Sequence, residues 1–169
     1  MLKYYKSLIF ISLAIICLIA MNVRIASAED PGLKGWEEGS EYNSHYNVNE
    51  YDSFRGRFED VVNITPLPGM APGIGIIVKD QDGDLVTVQL GPKSFVKMDS
   101  VGLRKGDKVK VKGVWADING EEVFIASKVK NKSRGENVEL KVRLTSDGTP
   151  FWSMTPAQLA KEMQSPPDD

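Results

Sequence analysis

The chain has 169 residues, 41% of them hydrophobic and 26% charged, with a formal net charge of −2. That length suits one domain of ordinary size rather than two, and a mildly acidic balance argues against a general polyanion binder. The single cysteine, Cys17, excludes a disulfide framework.

Residues 1–28 read as a signal peptide. Lys3 and Lys6 form a positive start, Ser7 to Met21 is apolar, and Ala26-Ser27-Ala28 is a small-x-small cleavage site. The apolar run is short for a membrane span of roughly 20 residues; an uncleaved anchor is the alternative, and it is the only membrane contact expected. Ile16 before Cys17 is not the small residue that a lipoprotein signal needs. Cleavage would remove Lys3, Lys6, Arg24 and no acid, taking the formal charge from −2 to −5. The mature chain would have no thiol, hence no thiolate metal site and no cysteine nucleophile. The expected setting is periplasmic or secreted.

Residues 29–52 form a polar lead-in with Trp36, Tyr42, Tyr46 and Tyr51 but no period of 2 or 3.6. This composition predicts a flexible arm, or one that drapes over the domain through its aromatics. Its His45 is the lone histidine, which is weak support for a metal site.

The domain is expected over residues 53–152. Ser53–Thr65 predicts a first strand with Phe54 and Phe58 on one face and Gly56 at a bulge or bend. Pro66, Pro68 and Pro72 end it. Gly73–Lys79 predicts a second strand and Leu85–Leu90 a third, joined at Asp82-Gly83, with Leu85, Thr87 and Gln89 outward. Lys93–Gly102 suits a short helix or wrapped loop. From Asp107 to Gly113 lysine and valine alternate, so Val109 and Val111 face inward and Lys108, Lys110 and Lys112 outward. Asn119-Gly120 signals a hairpin, and Val123, Ile125 and Val129 continue the buried row. After a polar break at Lys132–Asn137, Val138–Leu144 alternates again as an extra strand. Residues 153–169 read as a short helix, with Thr155 as N-cap and Pro156 at the first helical position, and a tail. Phe151 or Trp152 is expected to cap one end of the fold, with the helix packed beside it.

Three strands, a connector and two strands is the order of an OB-fold. The predicted class is all-β: a five-stranded OB-fold-like Greek-key barrel with an extra C-terminal strand and a short C-terminal helix. The runs LGPKSF, GLRKGDKVKVKGVWADINGEEVFIASKV and DGTPFW resemble small exported bacterial OB-fold proteins. The resemblance covers about Phe54 to Trp152 and implies a fold and an exported setting, with no established catalytic residues. That group usually carries leucine-arginine-aspartate before the last glycine; Val142-Arg143-Leu144-Thr145 departs from it. A second, weaker likeness is to magnetosome-associated proteins of this shape, and implies an accessory role in mineral or redox-protein assembly.

Little points to catalysis. No nucleophile–base set and no phosphate-cradling glycine loop is present, so no catalytic residue, metal ligand or cofactor is expected. Asp80-Gln81-Asp82-Gly83-Asp84 lacks the distal glutamate and flanking helices of a calcium loop and reads as a hairpin turn. Two binding surfaces are candidates. One is a basic face of Lys105, Lys108, Lys110, Lys112, Lys128 and Lys130; the bland reading is a solvated exterior that guards a strand edge. The other is the outward side of strands two and three, with Ile77, Leu85, Thr87 and Gln89, where OB-folds often bind. It lacks the aromatic platforms of single-strand binders, so nucleic-acid binding, like oligosaccharide binding, ranks below a protein partner or an anionic surface. The predicted function is that of an exported, non-enzymatic binding or assembly module for a protein partner or an anionic surface in the cell envelope. The alternative is a metal- or redox-linked periplasmic accessory protein, including the magnetosome type.

Overall fold

The computed structural model describes residues 31–134 and 138–164. The expected signal peptide lies outside the described residues.

The chain is mostly antiparallel β-sheet: β1 (Tyr51–Ile64), β2 (Gly73–Lys79), β3 (Leu85–Pro92), β4 (Lys108–Ile118), β5 (Glu121–Asn131) and β6 (Glu139–Lys141). Two short helices flank it, α1 (Glu41–Ser44) and α2 (Pro156–Gln164). β1 is shared between neighbours. Its first half pairs with β4 and its second half with β2, and Arg57 opposes both Lys108 and Lys79. Gly56 stands at this handover because a Cβ there would run into the Lys79 carbonyl and the Val78 side chain. The expected irregularity falls just beyond it, as a register shift between Phe58 and Asp60.

β2 and β3 form a hairpin whose turn is organised by one carboxylate. Asp80 Oδ1 accepts from the backbone N–H groups of Asp82, Gly83 and Asp84 at 2.8–2.9 Å. β4 and β5 form the second hairpin through Asn119-Gly120, both at positive φ (58° and 83°), as a two-residue turn of the favoured hand requires. β3 also pairs in parallel with β5 at Val88–Phe124 and Gln89–Ile125. Among β1 to β5 each strand therefore has two hydrogen-bonded neighbours within that set, and the pairings return to β1. β6 pairs with β5 at Lys128–Lys130, beyond the stretch of β5 that meets β3. It is shorter than the alternation of Val138–Leu144 suggested, because beyond Lys141 the N–H groups of Val142 and Arg143 both bond to the one Ser127 carbonyl and the ladder is broken.

Val88, Val109, Val111 and Ile125 are all buried, as expected. Phe54, Trp115 and Phe124 meet with ring centroids 5.0–5.7 Å apart. β5 is buried at every residue from Val123 to Asn131, so both of its faces are covered and its lysines do not alternate into solvent.

The lead-in packs on the sheet through Trp36 and Tyr42. The Trp36 indole donates to the Ala71 carbonyl at 2.8 Å, and its ring fills the space a Cβ on Gly73 would need. Its own carbonyl accepts from the Trp152 indole at 2.6 Å. Trp152 also meets Phe95 and lies over Gly91. Phe151 and Trp152 are thus buried, and Trp152 ties the C-terminal segment to the lead-in. α2 is different. Thr155 and Gln158 cap it reciprocally, but none of its residues is buried and Met163 is 62% exposed.

Candidate functional site: a basic sheet face

Residues directly opposite in an antiparallel pair share a face, with Cβ atoms about 4.5–5.5 Å apart. The register therefore aligns charged side chains in three rows across the strands. The first runs Lys79, Arg57, Lys108, and is continued by Lys132, whose N–H donates to the Lys108 carbonyl at 2.7 Å. The second runs Arg55, Lys110, Lys130 and Glu139; the third runs Ser53, Lys112, Lys128 and Lys141. Glu139 is the one carboxylate in these rows. It lies 3.5 Å from Lys130 and Lys141 and 3.9 Å from Lys128.

The rows grade from open to covered. Arg55, Arg57, Lys79, Lys108 and Lys132 are exposed, and Lys110 and Lys112 are half-buried. Lys128 and Lys130 are buried at 1% and 9% exposure. The expectation that both belong to an open basic surface is therefore corrected: β6 covers this side of β5 and places Glu139 among them. Lys105 stands apart, paired with Glu59 at 3.1 Å. In their place the fold supplies Arg55, Arg57 and Lys79, which the reading of strands four and five alone missed. Their signal was in the sequence: Arg55 and Arg57 alternate with Phe54 and Phe58, so they had to face away from the core.

Two hollows lie on this face. The larger, about 810 Å³, is lined by Arg55, Arg57, Lys79, Lys108 and Lys132 together with the β2–β3 turn from Asp80 to Gly83. The smaller, about 390 Å³, is lined by Ser53, Phe54, Arg55, Lys110 and the same turn. Arg57 Nη1 donates to the Gly106 carbonyl at 3.0 Å. Among the described residues no ion pair joins the cations of the larger hollow to Asp80 or Asp82.

The second predicted surface is only partly open. Leu85 is 67% exposed, and Ile77 and Thr87 are half-buried. Gln89 is buried, correcting its outward placement. It lies beside Ile64, Ile118 and Val123 in a small hollow of about 240 Å³, with Oε1 lacking a hydrogen-bond partner.

A third cluster was not foreseen. Alternation puts Arg143 outward, yet it is 2% exposed. Its guanidinium carbon lies 4.8 Å from the Trp152 ring, 5.2 Å from Tyr46 and 5.8 Å from Tyr42, and Nη1 donates to the Gly148 carbonyl at 3.2 Å. Burial pushes the Arg143 pKa down and the Tyr42 pKa up to about 12; Tyr46 is also raised by burial. Val142 and Arg143 share the Ser127 carbonyl as acceptor, and this irregularity breaks the alternation that placed Arg143 outward. Among the described residues no group of three or more His, Cys, Asp or Glu side chains lies together as metal ligands would.

Compared with known families, residues 50–135 match the MamS/MamX magnetosome protein family, and the chain belongs to that family. The family is thus the one behind the weaker of the two likenesses read from the sequence, not the small exported OB-fold group. The matched stretch spans β1 to β5 and holds every exposed cation of the three rows. No curated protein and no solved structure matches the chain.

Proposed function

We propose that this chain is a non-enzymatic accessory module of the magnetosome, exported across the inner membrane, that holds an anionic partner on the outer face of β1 and β4. Family membership supports the magnetosome setting. The observation that carries the binding reading is the run of cations in three aligned rows with Glu139 as their single carboxylate. Like charges directly opposite on a sheet destabilise it. A solvated exterior would serve as well with both signs interspersed, so the segregation suits an oppositely charged partner that relieves it.

We read the five strands β1–β5 as an OB-fold-like barrel, supported by the ring of pairings that returns to β1. The basic face then lies on the outer wall of β1 and β4, with the β2–β3 turn as its rim. Loops and faces of this fold commonly carry binding.

The test is replacement of the native copy in a magnetosome-forming bacterium by the Arg55→Glu/Lys108→Glu variant, with export checked by fractionation. Both side chains are exposed, so the fold should persist. Crystal number and size should fall to those of a strain lacking the protein. Normal crystals with the variant present at normal levels would overturn the reading.

A further inference from the structure

The two hollows on the basic face share Arg55, Asp80, Gln81 and Asp82, so they form one groove. It runs along β1 from Lys108 and Lys132 at one end to Ser53 and Lys110 at the other, beneath the β2–β3 turn. Same-face residues on a strand repeat about every 6.7 Å, so the three rows span about 13 Å. The groove is therefore linear, with cations along its floor at a strand's own period.

Its wall narrows the choice of ligand. The turn is pinned by the three N–H groups that Asp80 Oδ1 accepts, and Asp82 stands on the same wall. A flat anionic membrane would meet these carboxylates together with Arg55, since turn and cations line the same hollow. A narrow chain can pass between turn and floor. The protein already makes one such contact itself: β6 is an extended segment, and its Glu139 sits in the second row against Lys130. An extended peptide also repeats every two residues at about 6.7 Å, matching the row spacing.

We infer that this groove takes an extended acidic peptide segment of a partner protein, with carboxylates at alternate positions meeting Arg57 and Lys108, then Arg55 and Lys110, and with Ser53 at its far end. The inference rests on the proposed anionic partner and names its class. Side-chain charge, not main-chain strand addition, holds the peptide: along this stretch β1 pairs with β4, and β2 joins it only from Arg57 onward. Specificity comes from the charge period alone.

The experiment is a nuclear magnetic resonance titration of the whole purified chain with a synthetic peptide of three glutamates alternating with serines. A peptide of the same composition with the glutamates consecutive is the control. Inorganic polyphosphate and vesicles of anionic phospholipid are the other probes. The alternating peptide should bind about five- to tenfold more tightly than its control, since one or two exposed ion pairs of up to about 1 kcal/mol each are lost when the period is wrong. Shifts should centre on Arg55–Arg57, Lys108–Lys110 and the turn Asp80–Gly83, and should vanish in Arg55→Gln/Lys108→Gln. Equal binding of the two peptides, or shifts centred elsewhere, would overturn the inference. Binding of polyphosphate or vesicles through Arg55 and Lys108 without binding of the alternating peptide would overturn it while leaving the anionic-partner reading in place. Failure of every probe to bind would overturn both.

Discussion

Arg143 shows what a buried cation looks like when aromatic faces replace a carboxylate. Three rings lie within 6 Å of its guanidinium carbon, close enough for cation–π attraction. The Tyr42 and Tyr46 hydroxyls and two guanidinium nitrogens make no hydrogen bond of good geometry, although Tyr42 lies close enough to Arg143, and Tyr46 to Ser127, for each contact to pull the phenol pKa back down in part. The cluster is therefore held by ring faces and burial more than by hydrogen bonds, and Tyr42 keeps its proton up to about pH 12 against an ordinary 10.0. The sign follows directly. An acid whose folded pKa is raised contributes stability that is complete below its unfolded pKa and is lost as pH rises toward the folded one, since the unfolded chain ionises first. Folding free energy should fall by about 3 kcal/mol through this window from Tyr42 alone. Denaturant unfolding of wild type and Tyr42→Phe across the alkaline range measures it. The variant should lose less stability at high pH, because it has no phenol to ionise. An unchanged alkaline fall in the variant would place the titration elsewhere.

At the scale of elements, the strands were the legible part. Gly73–Lys79 is β2 to the residue, and the lysine–valine alternation and Asn119-Gly120 gave β4, β5 and their turn. These signals are local, and the structure keeps them because neighbouring strands pair with little insertion. What stayed hidden depends on partners distant in sequence. Trp36 sits among turns without a period, and only its bonds to Ala71 and Trp152 explain its burial. Lys128 and Lys130 alternate as outward residues should, yet β6 covers them. The site was half legible for the same reason: β4 lysines were visible as a stripe, but only the register of β1 adds Arg55 and Arg57 to their rows. The C-terminal segment separates the two kinds of element. Truncation after Thr145 removes Phe151 and Trp152, which are 2% and 8% exposed, and should cost on the order of 3–5 kcal/mol per ring, leaving a chain that melts far lower or does not fold. Truncation after Met154 keeps both rings and removes residues 155–169, in which α2 has no buried residue; stability should stay within about 0.5 kcal/mol. Paired thermal melts check this, and equal losses in both would make α2 part of the packed structure.

For the whole molecule, a net charge of −2 conceals a strong segregation of sign. The acids concentrate outside the three rows, so averaged charge says little about what β1, β4 and β5 present. Arg55, Lys110 and Lys130 are successive neighbours in one row, and Glu139 at its end is shared with Lys128 and Lys141. Opposed like charges of this kind cost about 0.2–1 kcal/mol per pair, and salt shortens the reach of the repulsion from about 30 Å at 0.01 M to about 10 Å at 0.1 M. Wild-type melting temperature should therefore rise as sodium chloride is added over that range, before general salting effects enter. Lys110→Gln removes the middle cation of the row without touching the core. It should raise the melting temperature at low salt and flatten the rise, by a few tenths to about 1 kcal/mol. Short acidic peptides should do to wild type what the substitution does, because a ligand bound only by the folded state stabilises it in proportion to its occupancy. Melting curves of both proteins at low and moderate salt, with and without peptide, decide the point. A wild-type melting temperature that falls with salt would mean that attractive pairs, not aligned cations, dominate this face.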